Sequence, residues 1–347
     1  MTVLVTIKPS GHSYRADPEQ SILQTALDAG FILPYGCRNG ACGSCKGKVL
    51  AGDVDYGDYQ EKVLTAEERS KGYALFCCAR PRGDVTIECR EVGSLKDIPV
   101  RTLPCRVQKI ERAAEDIVML QLRLPANERL QFLAGQYIDF LLKDGKRRSF
   151  SIANAPHDDA YLQVHIRHIP GGQFTDHVFH AMKERDILRF EGPLGSFFLR
   201  EQAAESPGKP IVLVAGGTGF APIKAIIEHA IHHQMKRPMA LYWGARNRAG
   251  LYLHQVAESW ARTISGFKYV PVLSDNPPED NWQGRTGLVH QAVIDDLRDL
   301  SAYQVYACGA PAMIEAAKKD FVRVCQLPEG EFFADSFTYA ADSQPNR

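Results

Sequence analysis

The sequence predicts a multi-domain protein of three unlike modules: a small α+β module, an antiparallel β-barrel and an α/β module. Three observations predict it. The 347 residues are more than one core usually organises and suggest two or three domains. The hydrophobic pattern then changes along the chain. Short alternating segments run to about Arg200, and the unbroken apolar run Ile211-Val212-Leu213-Val214-Ala215 opens a stretch where helical and strand patterns take turns. Finally, three of the nine cysteines crowd into one glycine-rich loop near the N-terminus.

Residues 1–93 read as an α+β module of the β-grasp kind. Two alternating strands come first, around Thr2–Lys8 and Gly11–Ala16. Asp17-Pro18 is expected to open a helix, Asp as N-cap and Pro at the first helical position, and Gly30 to close it. Lys46–Leu50 and Val85–Cys89 are further strands.

Between these elements lies Gly36-Cys37-Arg38-Asn39-Gly40-Ala41-Cys42-Gly43-Ser44-Cys45, a C-x4-C-x2-C run. A fourth cysteine follows in Gly72-Tyr73-Ala74-Leu75-Phe76-Cys77. This spacing is that of plant-type [2Fe–2S] loops. Four thiolates must converge on two irons, so the chain has to double back tightly, which Gly36, Gly40 and Gly43 permit. Backbone N–H groups freed by such a loop can point at sulfur and tune a cluster. Buried structural cysteines are the bland alternative. Zinc is another, although zinc sites usually show two C-x2-C knuckles and only one is present. Cys78 beside Cys77 is a rival fourth ligand; Cys89, Cys105 and Cys325 have no partner spacing and read as structural.

Glu91–Pro99 has no clear period, and the linker is assigned to residues 94–102. The barrel, residues 103–206, is carried by segments such as Ile117–Leu124 and Leu162–Arg167. The α/β module spans residues 207–347, with a buried strand, then Gly216-Gly217-Thr218-Gly219-Phe220-Ala221-Pro222, then the helical pattern Ile223–Ile231. Strand, glycine turn and helix form a dinucleotide phosphate cradle, though the full G-x-G-x-x-G is missing. A second strand, Met239–Gly244, carries no acid at its end to select NADH; Arg246 and Arg248 stand there and can meet a 2′-phosphate, which leaves the nucleotide open.

Lys plus Arg and Asp plus Glu both number 41, so formal charge is zero and no basic stripe suggests nucleic acid. Apolar content of 45% and charged content of 24% are those of an ordinary soluble protein. No apolar run reaches membrane-span length, and the N-terminus alternates like a strand rather than like a signal peptide. Nine cysteines without a secretion signal point to a reducing cytoplasm.

Six segments carry a family resemblance. Gly72–Pro81 with Asp84–Glu88 looks like the end of a plant-type ferredoxin and puts the fourth iron ligand on Cys77, beside Cys37, Cys42 and Cys45. Arg147-Arg148-Ser149-Phe150-Ser151-Ile152-Ala153-Asn154 resembles the R-x-[Y/F]-S signature of the ferredoxin–NADP reductase superfamily. It implies FAD held by Arg148, Ser149, Phe150 and Ser151: guanidinium on phosphate, ring on isoalloxazine, hydroxyl near N5. Phe150 stands where many members have Tyr. Gly171-Gly172-Gln173-Phe174-Thr175 looks like the family turn that receives the FAD pyrophosphate, with Gly171, Gly172, Gln173 and Thr175 as contacts. Gly216, Gly217, Thr218, Gly219 and Pro222 match the pyridine-nucleotide turn, and Cys308-Gly309 the strand end that meets nicotinamide. The segment Glu331–Phe337 resembles the tail that returns to the flavin. The resemblance implies that Ser151, Cys308 and Asp335 converge beside N5 and serve positioning and proton handling. Arg246 joins the cofactor set.

The module order is that of oxygenase-type reductases. Arg147–Pro156, the Cys77-Cys78 pair, Gly135-Gln136-Tyr137-Ile138-Asp139 and Val305–Gly309 resemble the CDP-6-deoxy-Δ3,4-glucoseen reductase family. That family draws on NADH and passes electrons to a pyridoxamine-dependent dehydrase during C-3 deoxygenation of a CDP-hexose. The implied path runs from NAD(P)H to FAD to [2Fe–2S] to a partner protein, because FAD can take a pair of electrons and release them singly. The alternatives are the reductase component of an aromatic-ring or di-iron oxygenase, a stand-alone flavin reductase, and a binding module fused to an inactive flavodomain.

Overall fold

A computed structural model describes residues 2–89, 91, 98–200, 208–275 and 281–337. It divides into two compact units. One comprises residues 1–100 together with Leu194–Phe197, and the other residues 101–193 with 198–347. The expected barrel and α/β modules thus share one unit. Residues 94–97 of the expected linker lie outside the described residues, and Arg101 and Thr102, also placed in the linker, open a strand instead.

The first unit contains β1 (Val3–Lys8), β2 (Ser13–Ala16), α1 (Ile22–Asp28), β3 (Lys46–Ala51), β4 (Val54–Asp55), α2 (Ala66–Ser70), β5 (Tyr73–Leu75), β6 (Arg80–Pro81) and β7 (Val85–Glu88). Its main sheet has the order β2-β1-β7-β3-β5, with β1 and β7 parallel. The alternation read in β1 is real: Val5 and Ile7 are buried while Leu4 faces out. Ile22, Leu23 and Ala26 of α1 complete that core. Helix α1 starts later than Asp17-Pro18 suggested. Asp17 closes a local turn, accepting from the Glu19 N–H (3.0 Å), and Ser21 is the cap, its hydroxyl accepting from the Gln24 N–H at 3.1 Å. Two capping residues four apart compete, and Pro18 serves the turn rather than the helix. Gly30 follows the helix end at φ +84°, as its position foretold.

The second unit opens with β8 (Arg101–Ala114), β9 (Ile117–Arg123), β10 (Tyr137–Leu141), β11 (Arg147–Ser151), β12 (Leu162–Arg167), α3 (Gln173–His180) and β13 (Ile187–Leu194). The strands form a sheet ordered β11-β10-β13-β8-β9-β12. An antiparallel bridge between Ile152 and Val164 joins its two edges and closes the barrel. Inward residues such as Val107, Leu120, Phe140 and Phe190 fill it, with Phe174 and Val178 of α3 against them.

There follow β14 (Ile211–Gly216), α4 (Phe220–His232), β15 (Met239–Ala245), α5 (His254–Thr263), β16 (Phe267–Leu273), β17 (Arg285–Thr286), α6 (Val289–Asp296), β18 (Gln304–Gly309), α7 (Pro311–Arg323) and β19 (Phe332–Ser336). The sheet order is β17-β16-β15-β14-β18-β19, and its strands run parallel. Successive strands step one way from β14 to β17, then restart at β18 on its other side. The order therefore reverses beside β14, and the crevice at the carboxyl ends of β14 and β18 is where such sheets take ligands. No helix among the described residues is long and apolar enough to cross a membrane.

Candidate functional site

The loop after α1 brings Cys37, Cys42, Cys45 and Cys77 together as two pairs. The thiols of Cys37 and Cys42 hydrogen-bond to each other, as do those of Cys45 and Cys77. The Cys37 thiol lowers Cys42 to about 6, and the Cys45 thiol lowers Cys77 to about 4. In each pair one sulfur is drawn toward thiolate, while the hydrogen bond between the two holds its partner, Cys37 or Cys45, above the ordinary range; iron takes all four as thiolates. Backbone N–H groups aim at sulfur as anticipated: Cys37 N donates to Cys42 Sγ (3.3 Å) and Ala41 N to Cys37 Sγ (3.4 Å). Gly40 adopts φ +72°, and a Cβ there would lie 2.8 Å from Tyr59 and 2.9 Å from Cys78 Sγ. Cys78 stands 3.5 Å from Cys77 Sγ, against Gly40. This donor set fits a cluster with two cysteines per iron.

On the barrel, β11 alternates as its signature demands. Arg148 and Phe150 share one face and are half-buried, while Ser151 is buried on the other. One edge of Phe150 rests on Phe140 and Phe174, ring centroids 5.8 and 5.5 Å away. Arg147 is committed to Glu191 through a two-pronged pair at 2.7 and 3.1 Å. Ser149 donates to the buried Asp139 at 2.5 Å, so its side chain braces β10 rather than pointing at a phosphate. Beyond β12, Gly171-Gly172 turns into α3, whose first residue follows Gly172 as cap with no side-chain cap bond. Thr175 is buried, and its hydroxyl donates to the Ile169 carbonyl at 2.9 Å. It shapes the turn from inside. Gln173 is exposed at the helix start.

The glycine turn Gly216–Gly219 closes β14 and runs through Thr218 straight into α4, with Pro222 buried in the first turn. A Cβ on Gly219 would sit 2.1 Å from the Cys308 carbonyl oxygen, so the turn and the β18 end touch backbone to backbone. Three supports escaped the sequence reading. Trp243 Nε1 donates to the Gly217 carbonyl at 3.0 Å, and its ring stacks on Phe220 at 3.8 Å. The Arg167 guanidinium reaches the open side of Gly217, within 3.3 Å of where a Cβ would be. Lys224 reaches from α4 to the Ala153 carbonyl just past β11 (3.1 Å) and pairs with Glu228. His165 lies on the polar side of the alternating strand β12 yet is buried. Its Nδ1 meets the Tyr252 hydroxyl at 2.7 Å, and burial, then the Lys224 charge, push its imidazole down to about 3.

Cys308 is fully buried, and β18 and β19 place it directly beside Asp335. Burial, then the Asp335 carboxylate, hold the thiol well above its ordinary range, so it is a neutral group suited to packing and positioning. Ser151 belongs to the other sheet of this unit and is 6% exposed. Arg246 and Arg248 lie exposed at the carboxyl end of β15.

Comparison with known proteins accounts for these parts. Residues 5–82 match the 2Fe-2S iron-sulfur cluster binding domain, 104–199 the oxidoreductase FAD-binding domain, and 213–319 the oxidoreductase NAD-binding domain. The chain is 41% identical to the CDP-6-deoxy-L-threo-D-glycero-4-hexulose-3-dehydrase reductase of Yersinia pseudotuberculosis, over 97% of its own length and 99% of that protein's. It is 34% identical to reductase component 1 of the terephthalate 1,2-dioxygenase of Comamonas sp., covering 96% and 98%. The crystal structure of an Amycolatopsis cytochrome P450 reductase superposes with a TM-score of 0.79 at 35% identity, covering 97% and 99%. These findings carry the fold, the three cofactors and electron transfer from NAD(P)H through FAD and [2Fe–2S] to a partner. The chain therefore belongs to the family of iron–sulfur flavoprotein reductases that join a 2Fe–2S ferredoxin domain to FAD- and NAD-binding oxidoreductase domains.

Proposed function

We propose that this reductase serves a pyridoxamine-dependent dehydrase that removes the C-3 hydroxyl of a CDP-hexose, as a CDP-6-deoxy-Δ3,4-glucoseen reductase working on NADH. The observation that carries the reading is the 41% identity that runs through 97% of the chain and 99% of the hexulose-dehydrase reductase, against 34% for the dioxygenase component. FAD, when bound, supplies the exchange between a two-electron donor and a one-electron cluster.

The chain's own residues supply the rest. Cys37, Cys42, Cys45 and Cys77 hold the cluster. Arg148, the turn Gly171-Gly172 and Gln173 would hold the flavin phosphates, Phe150 would offer its ring to the isoalloxazine, and Ser151 would help orient it. Gly216–Gly219 and the amino end of α4 receive the nucleotide pyrophosphate. The Cys308-Gly309 strand end, with Asp335 beside Cys308, would position the nicotinamide. Alignment of this kind lowers the barrier by positioning rather than by bond chemistry on the protein.

Crosslinking of the tagged protein in its own cells, followed by mass spectrometry, tests the partner, since electron-transfer interfaces are small and transient. A pyridoxamine-dependent dehydrase among the captured proteins is expected. Capture of an oxygenase subunit would make this an oxygenase reductase. Steady-state kcat/KM is expected to favour NADH; preference for NADPH would mean that Arg246 or Arg248 takes a 2′-phosphate.

A further inference from the structure

Away from the cysteine loop, His168, Asp176 and His180 form a compact group of metal-ligating side chains. One ligand atom from each lies within 4.8 Å of the other two. Asp176 and His180 are four apart on α3 and so share a helical face. His168 comes from the segment just after β12, and its Nε2 meets Asp176 Oδ1 at 2.7 Å. The group is braced. The His168 ring stacks on Phe179 (4.6 Å between centroids, 20° between planes) and meets the His180 ring edge-on at 5.3 Å. Arg112 lies over Phe179 at 4.8 Å and donates to its carbonyl. His168 is thereby oriented by an aromatic shelf, with a ring nitrogen turned to the carboxylate.

We propose that His168, Asp176 and His180 bind a divalent transition metal, zinc above all. Two imidazoles and one carboxylate are a zinc donor set that leaves one position for water. Calcium and magnesium want more oxygens than this group offers. With metal–ligand bonds of about 2.0–2.2 Å, the ligand atoms must draw together to roughly 3.3 Å. His180, exposed at the end of α3, is the side chain free to make that move. The metal takes the place of the hydrogen bond between His168 and Asp176.

Such an ion ties the end of β12 to α3 across Gly171-Gly172. It would hold that turn shut from the outer side. This consequence, unlike the metal site itself, rests on the reading of the turn as the flavin phosphate seat.

The test uses the protein loaded with flavin and cluster, freed of loose metal with a chelator and dialysed against micromolar zinc chloride. Zinc and iron are counted together. One zinc per chain is expected in addition to the cluster iron. His180→Ala and Asp176→Asn are each expected to weaken zinc binding at least tenfold with iron and flavin content unchanged. A His157→Ala/His232→Ala variant removes another imidazole pair, stacked at 3.7 Å, and is expected to leave zinc binding as it was. No stoichiometric zinc, unchanged zinc affinity in His180→Ala, or loss only in the His157/His232 variant would overturn the site. Flavin dissociation is measured with and without zinc: slower loss with zinc supports the brace. An unchanged rate rejects the brace alone, because zinc counting has already decided the site.

Discussion

At the scale of single residues, the cysteines divide the labour most sharply. Cys42→Ser removes a member of one thiol pair and is expected to abolish the visible and EPR signals of the cluster. Reduction of ferricyanide, which can take electrons from the flavin, should persist while cytochrome c reduction collapses. Equal losses in both assays would refute this division. Cys78→Ser is expected to leave the cluster signals intact, because it is Cys77, not its neighbour Cys78, whose thiol hydrogen-bonds to Cys45. Loss of signal would move the fourth ligand to Cys78. The quartet was legible in the sequence because spacing along a tight loop constrains sulfur positions directly. What spacing does not disclose is which thiols pair, since that depends on how residues 72–77 return to the loop. The hydroxyl bonds of Ser149 and Thr175 are beyond the reach of spacing for a related reason. A hydroxyl in a ligand motif can bond inward, and the short bonds to Asp139 and Ile169 exist only once β10 and the turn are in place.

At the scale of elements, the glycine turn after β14 is held from three directions: by the Cys308 carbonyl, by Trp243 and by Arg167. Gly219→Ala would put a methyl 2.1 Å from the Cys308 oxygen. It is expected to cost roughly 1–3 kcal/mol of stability in the second unit, the usual range for overpacking. The KM for NADH should rise and the cluster's EPR signal stay unchanged; unaltered thermal unfolding and nucleotide binding together would refute the backbone contact. The turn was readable because glycines between a buried strand and an apolar helix leave few alternatives. Trp243 and Arg167 were not, because each comes from a strand far away in sequence, and only the parallel register of β14 with β15 brings Trp243 alongside. The start of α1 failed for a local reason: Asp17 and Ser21 are both good caps, and a turn claimed the first.

At the scale of the whole molecule, acid should loosen the second unit through a group that no motif marks. His165 is buried and neutral, with its pKa depressed to about 3, while an unfolded chain binds the proton near the ordinary 6.5. The unfolded state therefore binds more protons below that value. Stability is fully present above about pH 6.5 and declines as pH falls toward 3, by about 1.4 kcal/mol per pH unit from this residue. Denaturant unfolding followed from pH 7 to pH 5 should show a shallower decline in His165→Asn than in the parent; parallel curves would exclude His165 as the cause. The two thiol pairs have a consequence for the intact protein as well. Sulfurs that close, once stripped of iron, are placed to oxidise, two thiols giving a disulfide and two electrons to dissolved oxygen. Apoprotein handled in air should lose up to four titratable thiols, refuse iron and sulfide, and recover on reduction with dithiothreitol. Loading the cluster is then a race against crosslinking, and the order in which reductant and iron are added decides how much active protein is obtained.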